Sequence, residues 1–223
     1  MNRIPCLLRA NYYLYSWFFS LLILRCASLD ERKLVNGLWS ILVVAFTLFY
    51  AEYNHYDQTK QYKKEKYTVN LNHPVHFSFD FNIGAGKPMS MCFFQYIDDE
   101  FHVFHEVVIE GADTEELLLE CSLRGHLDYR CKYIYHGDAS GKAKHPASKK
   151  SDYDIIAKFL ENYRPQDGMK RIYEKQVPLS NPPVRTRHNE VNAYCCNGLD
   201  EVRLYVWGCE VVDKALRLTK LKD

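Results

Sequence analysis

Short segments with strand character, separated by turn residues, are the feature that most constrains the fold of this chain. Between residues 66 and 135 these segments are rich in β-branched and aromatic residues, which pack well on a pleated and half-buried surface. They are KYTVNL, PVHFSFDF, MSMCFFQYI, EFHVFHEVVI, ELLLECSL and DYRCKYIY. Breaks such as NIGAGKP hold turn-forming glycine and proline. Several short strands with short turns predict a mostly β protein, built as a sandwich or a barrel.

The later part of the sequence departs from this rhythm. Residues 136–152 contain Gly, Ser and Lys with little to bury, and residues 177–190 contain prolines that oppose sheet pairing, so both are predicted to be long surface loops. The segment SDYDIIAKFLENY, residues 151–163, fits either a helix or a strand. The segment DEVRLYVWG then alternates apolar and other residues, which predicts one more strand.

Two apolar runs lie near the beginning of the chain. Residues 11–24 have the length of the hydrophobic core of a signal peptide, and residues 34–51 are marginal for a membrane span. The basic residues before the second run favour a cytosolic flank and a lumenal remainder. We therefore predict a hydrophobic leader over residues 1–51, either a signal peptide or a signal anchor. Residues 52–223 are predicted to form a secreted or endoplasmic-reticulum-lumenal domain, anchored by residues 34–51 if the leader stays uncleaved.

Cysteine usage agrees with an oxidising compartment. An even set of cysteines in a lumenal domain predicts disulfides, although spacing does not fix their connectivity. The candidates are the six cysteines after the leader: Cys92, Cys121, Cys131, Cys195, Cys196 and Cys209. Cys121 and Cys131 flank a turn, and Cys195 and Cys209 flank a strand, so each is placed to fix a strand end.

Residue patterns for catalysis or metal binding are weak. No C-x-x-C occurs, and the adjacent pair Cys195 and Cys196 lacks the spacing of zinc ligands. His102 and His105 lie three residues apart, which puts them on opposite faces of a strand unless that strand bends. We therefore predict no catalytic residue, no metal and no cofactor, and we interpret the chain as a binding module. An enzyme would instead place His102 or His105 beside a free thiol in a deep pocket, and a membrane-tethered structural protein is a third interpretation.

Charge is balanced overall but uneven along the chain. The formal net charge is +1, which gives no general reason to expect nucleic acid. Residues 98–120 hold nine acidic residues and no Lys or Arg, whereas residues 124–150 hold seven basic and two acidic residues. Such a division is typical of solvated faces, and it also fits an acidic patch that steers a basic protein partner.

The region from residue 113 to 210 resembles the poxvirus immune-evasion domain, the family that includes the viral type II CC-chemokine-binding proteins. The resemblance rests on DTEELLLECSLRGHLDYRC, HPASKKSDYDII and YCCNGLDEVRLYVWGC. It implies a two-sheet β-sandwich stapled by disulfides and without catalysis. Within that fold Cys195 and Cys209 would be staples at strand ends, and Cys196 would bridge to Cys92 or stay free.

The same resemblance implies that the protein sequesters a host immune ligand. CC chemokines are the first candidates, and another cytokine, a co-stimulatory ligand or a class I histocompatibility molecule are the alternatives. The predicted contact residues are Tyr96, Asp98, Asp99 and Glu100, because YIDDE combines an aromatic anchor with a charge cluster. This interpretation includes no nucleic acid, and it allows membrane contact only through an uncleaved leader.

Overall fold

The computed structural model describes residues 56–81, 88–145, 149–197 and 199–218. The predicted leader, residues 1–51, lies outside these ranges, so the leader and the secreted or lumenal location both stay predictions. Within the described ranges, no helix combines the length and the apolar character needed to cross a membrane.

The described residues form seven strands, five α-helices and one short 3-10 helix. In chain order they are α1 (Gln58–Gln61), β1 (Tyr62–Lys63), β2 (Val75–Asp80), β3 (Pro88–Ile97), β4 (Glu100–Glu110), α2 (Thr114–Leu123), β5 (Tyr133–His136), the 3-10 helix (Ala139–Lys142), α3 (Asp152–Asn162), β6 (Tyr173–Lys175), α4 (Val184–Cys195), β7 (Leu204–Trp207) and α5 (Glu210–Leu218).

All seven of these strands belong to one sheet in the order β1-β7-β4-β3-β2-β5-β6. Strands β2, β3 and β4 form an antiparallel meander. The remaining neighbours, β1 with β7, β7 with β4, β2 with β5, and β5 with β6, are parallel. Parallel neighbours need long crossover connections, and here α2 and α3 lie in those connections. The molecule is therefore a mixed α/β protein, and the predicted two-sheet β-sandwich is wrong.

Two apolar cores cover the two faces of the sheet. One core joins Phe77, Phe79 and Phe93 of the meander to buried residues of α2 and α3, such as Leu117 and Ile156. The other joins different residues of the meander to buried residues of α4 and α5. The sheet is thus a central layer with helices on both sides, the arrangement that hides both faces of a largely parallel sheet from water.

The segment ELLLECSL was predicted as a strand and is part of helix α2. Asp113 caps this helix by accepting hydrogen bonds from the backbone N–H groups of Glu115 and Glu116, both at 2.9 Å, and Glu116 accepts in return from the N–H of Asp113. This capping box satisfies helix donors that would otherwise lack partners. Leu117 and Cys121 then share one buried face at helical spacing. The local caps therefore outweigh the apolar run that suggested a strand.

Other segments were predicted with mixed success. The cores of PVHFSFDF, MSMCFFQYI and EFHVFHEVVI form β2, β3 and β4, whereas KYTVNL has no regular structure. The segment SDYDIIAKFLENY, which fitted either a helix or a strand, forms helix α3. This helix begins with a second capping box, between Ser151 and Asp154. The predicted loop over residues 177–190 ends in the first turns of α4.

All six cysteines of the described region are free thiols, so the predicted disulfide staples are wrong. Cys92, Cys195 and Cys209 are buried in the core beneath α4 and α5, and Cys121 is buried in the other core. Desolvation by burial raises the pKa of the Cys195 thiol to about 12, which keeps it protonated at neutral pH. These cysteines contribute to packing as small apolar groups.

Candidate active site

Two buried aspartates lie at the carboxyl ends of the adjacent parallel strands β2 and β5. Ser78 of β2 is paired in register with His136 of β5. Asp80 and Asp138 each lie two residues beyond that pair, and only 2% and 3% of their respective surfaces are exposed. Asp138 lies in the loop that follows β5. Because neighbouring strands lie about 4.8 Å apart, the pairing of Ser78 with His136 places both aspartates at the same edge of the sheet. The carboxyl ends of parallel strands are also where open α/β sheets bind their ligands.

Close packing holds the loop after β5 in place. A Cβ atom on Gly137 would lie 2.0 Å from Oη of Tyr153, and one on Gly141 would lie 2.4 Å from Cε2 of Phe81. Only glycine fits at either position unless these neighbours move. Since Phe81 directly follows Asp80, the residue after one carboxylate packs on the loop that carries the other. The tight glycines therefore fix the position of Asp138 relative to Asp80.

Hydrogen bonds orient Asp138 within this loop. Its side chain accepts from the backbone N–H of Ser140 at 2.6 Å and from the Ser140 hydroxyl. Its backbone carbonyl accepts from Tyr153 Oη at 2.8 Å. The neighbouring Ala139 N–H donates to Asn181 Oδ1 at 3.0 Å. Asp138 is consequently held from both its side chain and its backbone.

The face of the sheet below Asp80 is the one that α4 covers. Asp80 and Ser78 project to the same face because side chains alternate along a strand. Cys92 lies directly opposite Ser78 on β3, and it shares a buried core with Val191 and Cys195 of α4. The carboxylates therefore lie at the edge of the α4 side of the sheet.

A pair of neutral histidines lies on the same two strands, His76 before Asp80 and His136 before Asp138. Nδ1 of His76 is 2.8 Å from Nε2 of His136, and both rings are fully buried. Burial lowers the pKa of His76 to about 3 and lowers that of His136 well below its ordinary value. At neutral pH the pair carries no charge, so it does not offset the negative charge of Asp80 and Asp138.

Helix α4 brings a buried arginine toward Asp138. Arg187 is only 2% exposed. Burial lowers its pKa to about 9, while the charge of Asp138 acts in the opposite direction. Nε and Nη1 of Arg187 find no hydrogen-bond acceptor among the described residues. One turn later, Oε2 of Glu190 is likewise buried without a described partner, and burial raises the pKa of Glu190 to about 7.

The carboxylates suit a divalent cation of the magnesium type. Among the described residues, no group of three or more His, Cys, Asp and Glu side chains is arranged to hold a metal ion. Mg²⁺, however, is commonly held by one or two carboxylates, with waters and substrate phosphates completing its shell. A pair of buried oxygen ligands, Asp80 and Asp138, meets that requirement. The donor set therefore fits a hard divalent cation that binds together with a phosphate.

Positive charge follows Asp138 directly in the sequence. Residues 139–150 contain four lysines and no acidic residue: Lys142, Lys144, Lys149 and Lys150. Each of these four lysines is exposed in the structure. Lys142 is held by a 2.6 Å hydrogen bond from its Nζ to the carbonyl of Pro178. The candidate site thus combines buried carboxylates with a basic rim, a charge distribution that suits a polyanion.

The predicted contact residues lie elsewhere, in the hairpin turn between β3 and β4. Asp98 and Asp99 adopt positive φ angles of 51° and 65°, as tight hairpin turns require. Asp99 accepts hydrogen bonds from the Tyr96 hydroxyl and from Arg203. Glu100 lies 3.4 Å from Nε2 of His102. Tyr96, Asp99 and Glu100 thus have partners within the protein. The predicted role of these residues and Asp98 as contacts for a protein ligand stays a prediction.

His102 and His105 contact the same aromatic cluster, although simple alternation along a strand predicts that they lie on opposite faces. The register between β3 and β4 shifts between Phe93 and Phe94, so that Phe104 is an extra residue in β4. Tyr67 stacks on both His102 and Phe104, and Phe104 packs edge-on against His105. Both histidines therefore belong to one aromatic cluster, and burial lowers the pKa of His105 to about 3.

Sequence analysis missed the functional candidates Asp80, Asp138 and Arg187. Asp80 lies one residue before the end of the predicted strand PVHFSFDF, and Asp138 lies three residues after the predicted strand DYRCKYIY, so two predicted strands are each associated with an aspartate. That repeated pattern was the available signal. It becomes informative only when β2 and β5 are known to be parallel neighbours, which a sandwich interpretation excludes.

Comparison with known proteins identifies similar folds among nucleases. No protein-family model and no curated protein sequence matches the chain. The nuclease domain of the P22 large terminase is 11% identical with a TM-score of 0.47, over 73% of this chain and 75% of that one. The nuclease domain of the bacteriophage SPP1 large terminase, solved with bound Mn, is 12% identical with a TM-score of 0.35, over 66% and 71%. The fowlpox virus Holliday junction resolvase is 14% identical with a TM-score of 0.35, over 66% and 89%.

These findings correct the functional predictions. The similar structures are terminase nuclease domains and a resolvase, and none of these three is a chemokine-binding protein. The resemblance implied a disulfide-stapled sandwich, whereas the described residues form a mixed α/β sheet with free cysteines. Membership of the poxvirus immune-evasion family and sequestration of a host immune ligand were therefore wrong predictions. The predictions of no enzymatic activity and of no nucleic-acid partner are overturned with them. The likeness to these three structures is remote.

Proposed function

We propose that this chain is a divalent-cation-dependent nuclease that hydrolyses phosphodiester bonds in DNA. The observation that carries the proposal is the placement of two buried aspartates, Asp80 and Asp138, each two residues beyond the paired residues Ser78 and His136 at the carboxyl ends of β2 and β5. Two buried carboxylates at one edge of a sheet can serve as ligands for a cation, whose charge offsets the cost of burying theirs. Phosphoryl chemistry is the commonest use of a hard cation held by so few protein ligands.

Asp80 and Asp138 are the residues that would hold the cation. A bound divalent cation supplies Lewis-acid polarisation of a phosphoryl oxygen and lowers the pKa of bound water. The protein orients these ligands. The Ser140 N–H and hydroxyl fix the Asp138 carboxylate, and the contact between Phe81 and Gly141 fixes the two strand ends.

The exposed lysines support a polymeric substrate. A single phosphate needs only a local binding group, whereas the basic stretch from Lys142 to Lys150 offers several cations along one loop. Lysines that neutralise backbone phosphates contribute sequence-independent affinity that weakens as salt rises. We therefore expect little sequence preference from this loop and a strong dependence of DNA binding on ionic strength.

The proposal is tested by incubating the full chain with supercoiled plasmid DNA in Mg²⁺ or Mn²⁺. We expect nicked and linear products with either cation and none with EDTA. Asp138→Asn keeps the shape of the side chain but removes its charge, and we expect it to slow cleavage by about 100-fold or more.

Asp213→Asn is the matched control for this variant. Asp213 is as buried as Asp138, at 3% exposed, but it accepts hydrogen bonds from Tyr56, Gln58 and Arg217 near helix α5. A folded Asp213→Asn variant should therefore retain cleavage. Equal cleavage by the wild type and Asp138→Asn would contradict the proposal.

A further inference from the structure

Arg187 is a buried cation whose hydrogen-bonding groups are not used by the described protein. It lies on α4 and is 2% exposed, and its Nε and Nη1 donors have no acceptor among the described residues. Within the described residues no carboxylate oxygen lies within 4.0 Å of its guanidinium, although the charge of Asp138 acts on it. A buried charged donor without an acceptor destabilises the folded protein. Such a group persists where a ligand supplies the missing acceptor.

The other buried arginine of the described region shows what a structural arginine looks like here. Arg171 donates to the carbonyls of Tyr129, Met169 and Asp128 and to the carboxylate of Asp167, at 2.6–2.8 Å. Its side chain is 5% exposed. All three guanidinium nitrogens of Arg171 therefore donate hydrogen bonds, whereas Arg187, with similar burial, leaves Nε and Nη1 without an acceptor among the described residues.

The ligand that fits is a tetrahedral oxyanion. Arginine presents a planar fork of N–H donors that matches phosphate oxygens, and it stays protonated at neutral pH. Burial lowers the pKa of the Arg187 guanidinium, and Asp138, one of the two proposed cation ligands, is close enough for its charge to act in the opposite direction. A phosphate between them would contact the cation with one oxygen and the guanidinium with another.

We propose that Arg187 binds a phosphate group of the substrate strand, so that this phosphate is held between the guanidinium and a cation on Asp80 and Asp138. This inference rests on the proposed nuclease function for the identity of the phosphate as part of DNA. Arg187 is then a substrate-binding residue that places the reacting phosphate, and the unused donors are satisfied only in the complex.

Binding measurements on the full chain test this role without relying on cleavage. Inorganic phosphate is titrated calorimetrically in the presence of Mg²⁺ into the wild type, Arg187→Gln and Arg187→Lys. Charge-assisted hydrogen bonds to arginine are worth about 1.5–3 kcal/mol, so Arg187→Gln should weaken phosphate binding by about 10-fold or more. Arg187→Lys keeps the charge without the fork and should give an intermediate loss. Mg²⁺ binding in the absence of phosphate should be retained in both variants.

A short DNA duplex, titrated with Ca²⁺ in place of Mg²⁺, distinguishes a phosphodiester from free phosphate. Loss of duplex affinity in Arg187→Gln supports the proposal, and a loss confined to inorganic phosphate overturns the assignment to the substrate strand. Arg203→Gln is the control, because Arg203 pairs with Asp99 in the β3–β4 hairpin region. Phosphate affinity unchanged in Arg187→Gln would overturn the inference. Failure of both Arg187 variants to fold would also overturn it, since it would assign the residue a structural role.

The inference and the nuclease proposal fail separately. Phosphate binding that requires Arg187, in a protein that cleaves no DNA, would leave the phosphate site standing and remove the nuclease. If cleavage requires Asp138 but phosphate binding does not depend on Arg187, the nuclease proposal stands and the phosphate site at Arg187 is removed.

Discussion

Gly141 packs so closely on Phe81 that a Cβ atom on the glycine would lie 2.4 Å from Cε2 of the ring. This contact connects the loop after β5 to the residue that follows Asp80. Gly141→Ala must therefore displace Phe81 or the loop, and we expect a loss of stability of about 1–3 kcal/mol. We also expect weaker stabilisation by Mg²⁺, because the two carboxylates are moved apart. Thermal unfolding with and without Mg²⁺ measures both effects.

Gly111→Ala is the control for that substitution. Gly111 has a φ of 70°, but a Cβ atom there would meet nothing within 4 Å. The variant should lose stability through backbone strain alone, about 1–2 kcal/mol, and keep its full response to Mg²⁺. An undiminished Mg²⁺ response in Gly141→Ala would contradict the packing argument.

Glu190 should make the folded protein less stable as pH rises. Burial raises its pKa from 4.5 to about 7 in the folded state, so the folded protein binds more protons than the unfolded chain between these values. Stability falls with pH wherever the folded state binds more protons. The loss of unfolding free energy caused by ionising Glu190 is absent below about pH 4.5 and complete above about pH 7.

The variant Glu190→Gln removes this titration while keeping the shape of the side chain. Other groups also titrate in this range, so the informative quantity is the difference in unfolding free energy between Glu190→Gln and the wild type, measured by urea denaturation. We expect that difference to move in favour of the variant as pH rises from about 4.5 to 7. A difference that does not change with pH would show that Glu190 is solvated in the folded state.

Arg171 should contribute strongly to stability, unlike Arg130, which pairs with the same carboxylate, Asp167. Arg171 connects the segment around Asp128 to Asp167 through buried hydrogen bonds, whereas the Arg130 side chain is 64% exposed and pairs with the same Asp167. Arg171→Gln leaves buried carbonyls without donors and should cost about 3 kcal/mol or more. Arg130→Gln should cost less than about 1 kcal/mol. Urea denaturation of both variants checks this, and similar losses would refute the distinction.

Sequence patterns predicted the strands of the meander well, because β2, β3 and β4 are dominated by aromatic and β-branched residues. They did not predict the parallel pairing of β2 with β5, since strand character does not specify which strand lies alongside. The helix α2 was missed because Leu117 and Leu118 lie in an apolar run, and its capping box was the only clear local sign of a helix.

The cysteines show how one assumption propagates. Because a lumenal location was expected, the six cysteines were predicted to form disulfides. Predicted disulfides agreed with the β-sandwich that the resemblance implied. In the structure Cys92 and Cys209 are buried apolar groups of one core. Burial alone explains their position. Residues 136–152 were predicted to be a surface loop because they contain few apolar residues, although Asp138 and Gly141 are buried within this segment.

The central claim is that Asp80 and Asp138 form one cation site, and a double-mutant cycle of Mn²⁺ binding tests it most directly. Mn²⁺ affinity is measured by calorimetry for the wild type, Asp80→Asn, Asp138→Asn and the double variant, with Asp213→Asn as the control. We expect each single substitution to weaken binding by about 10-fold or more, and the double variant to bind little more weakly than either single one, because the two ligands act on the same ion. Wild-type affinity in both single variants, or fully additive losses in the double variant, would contradict the account.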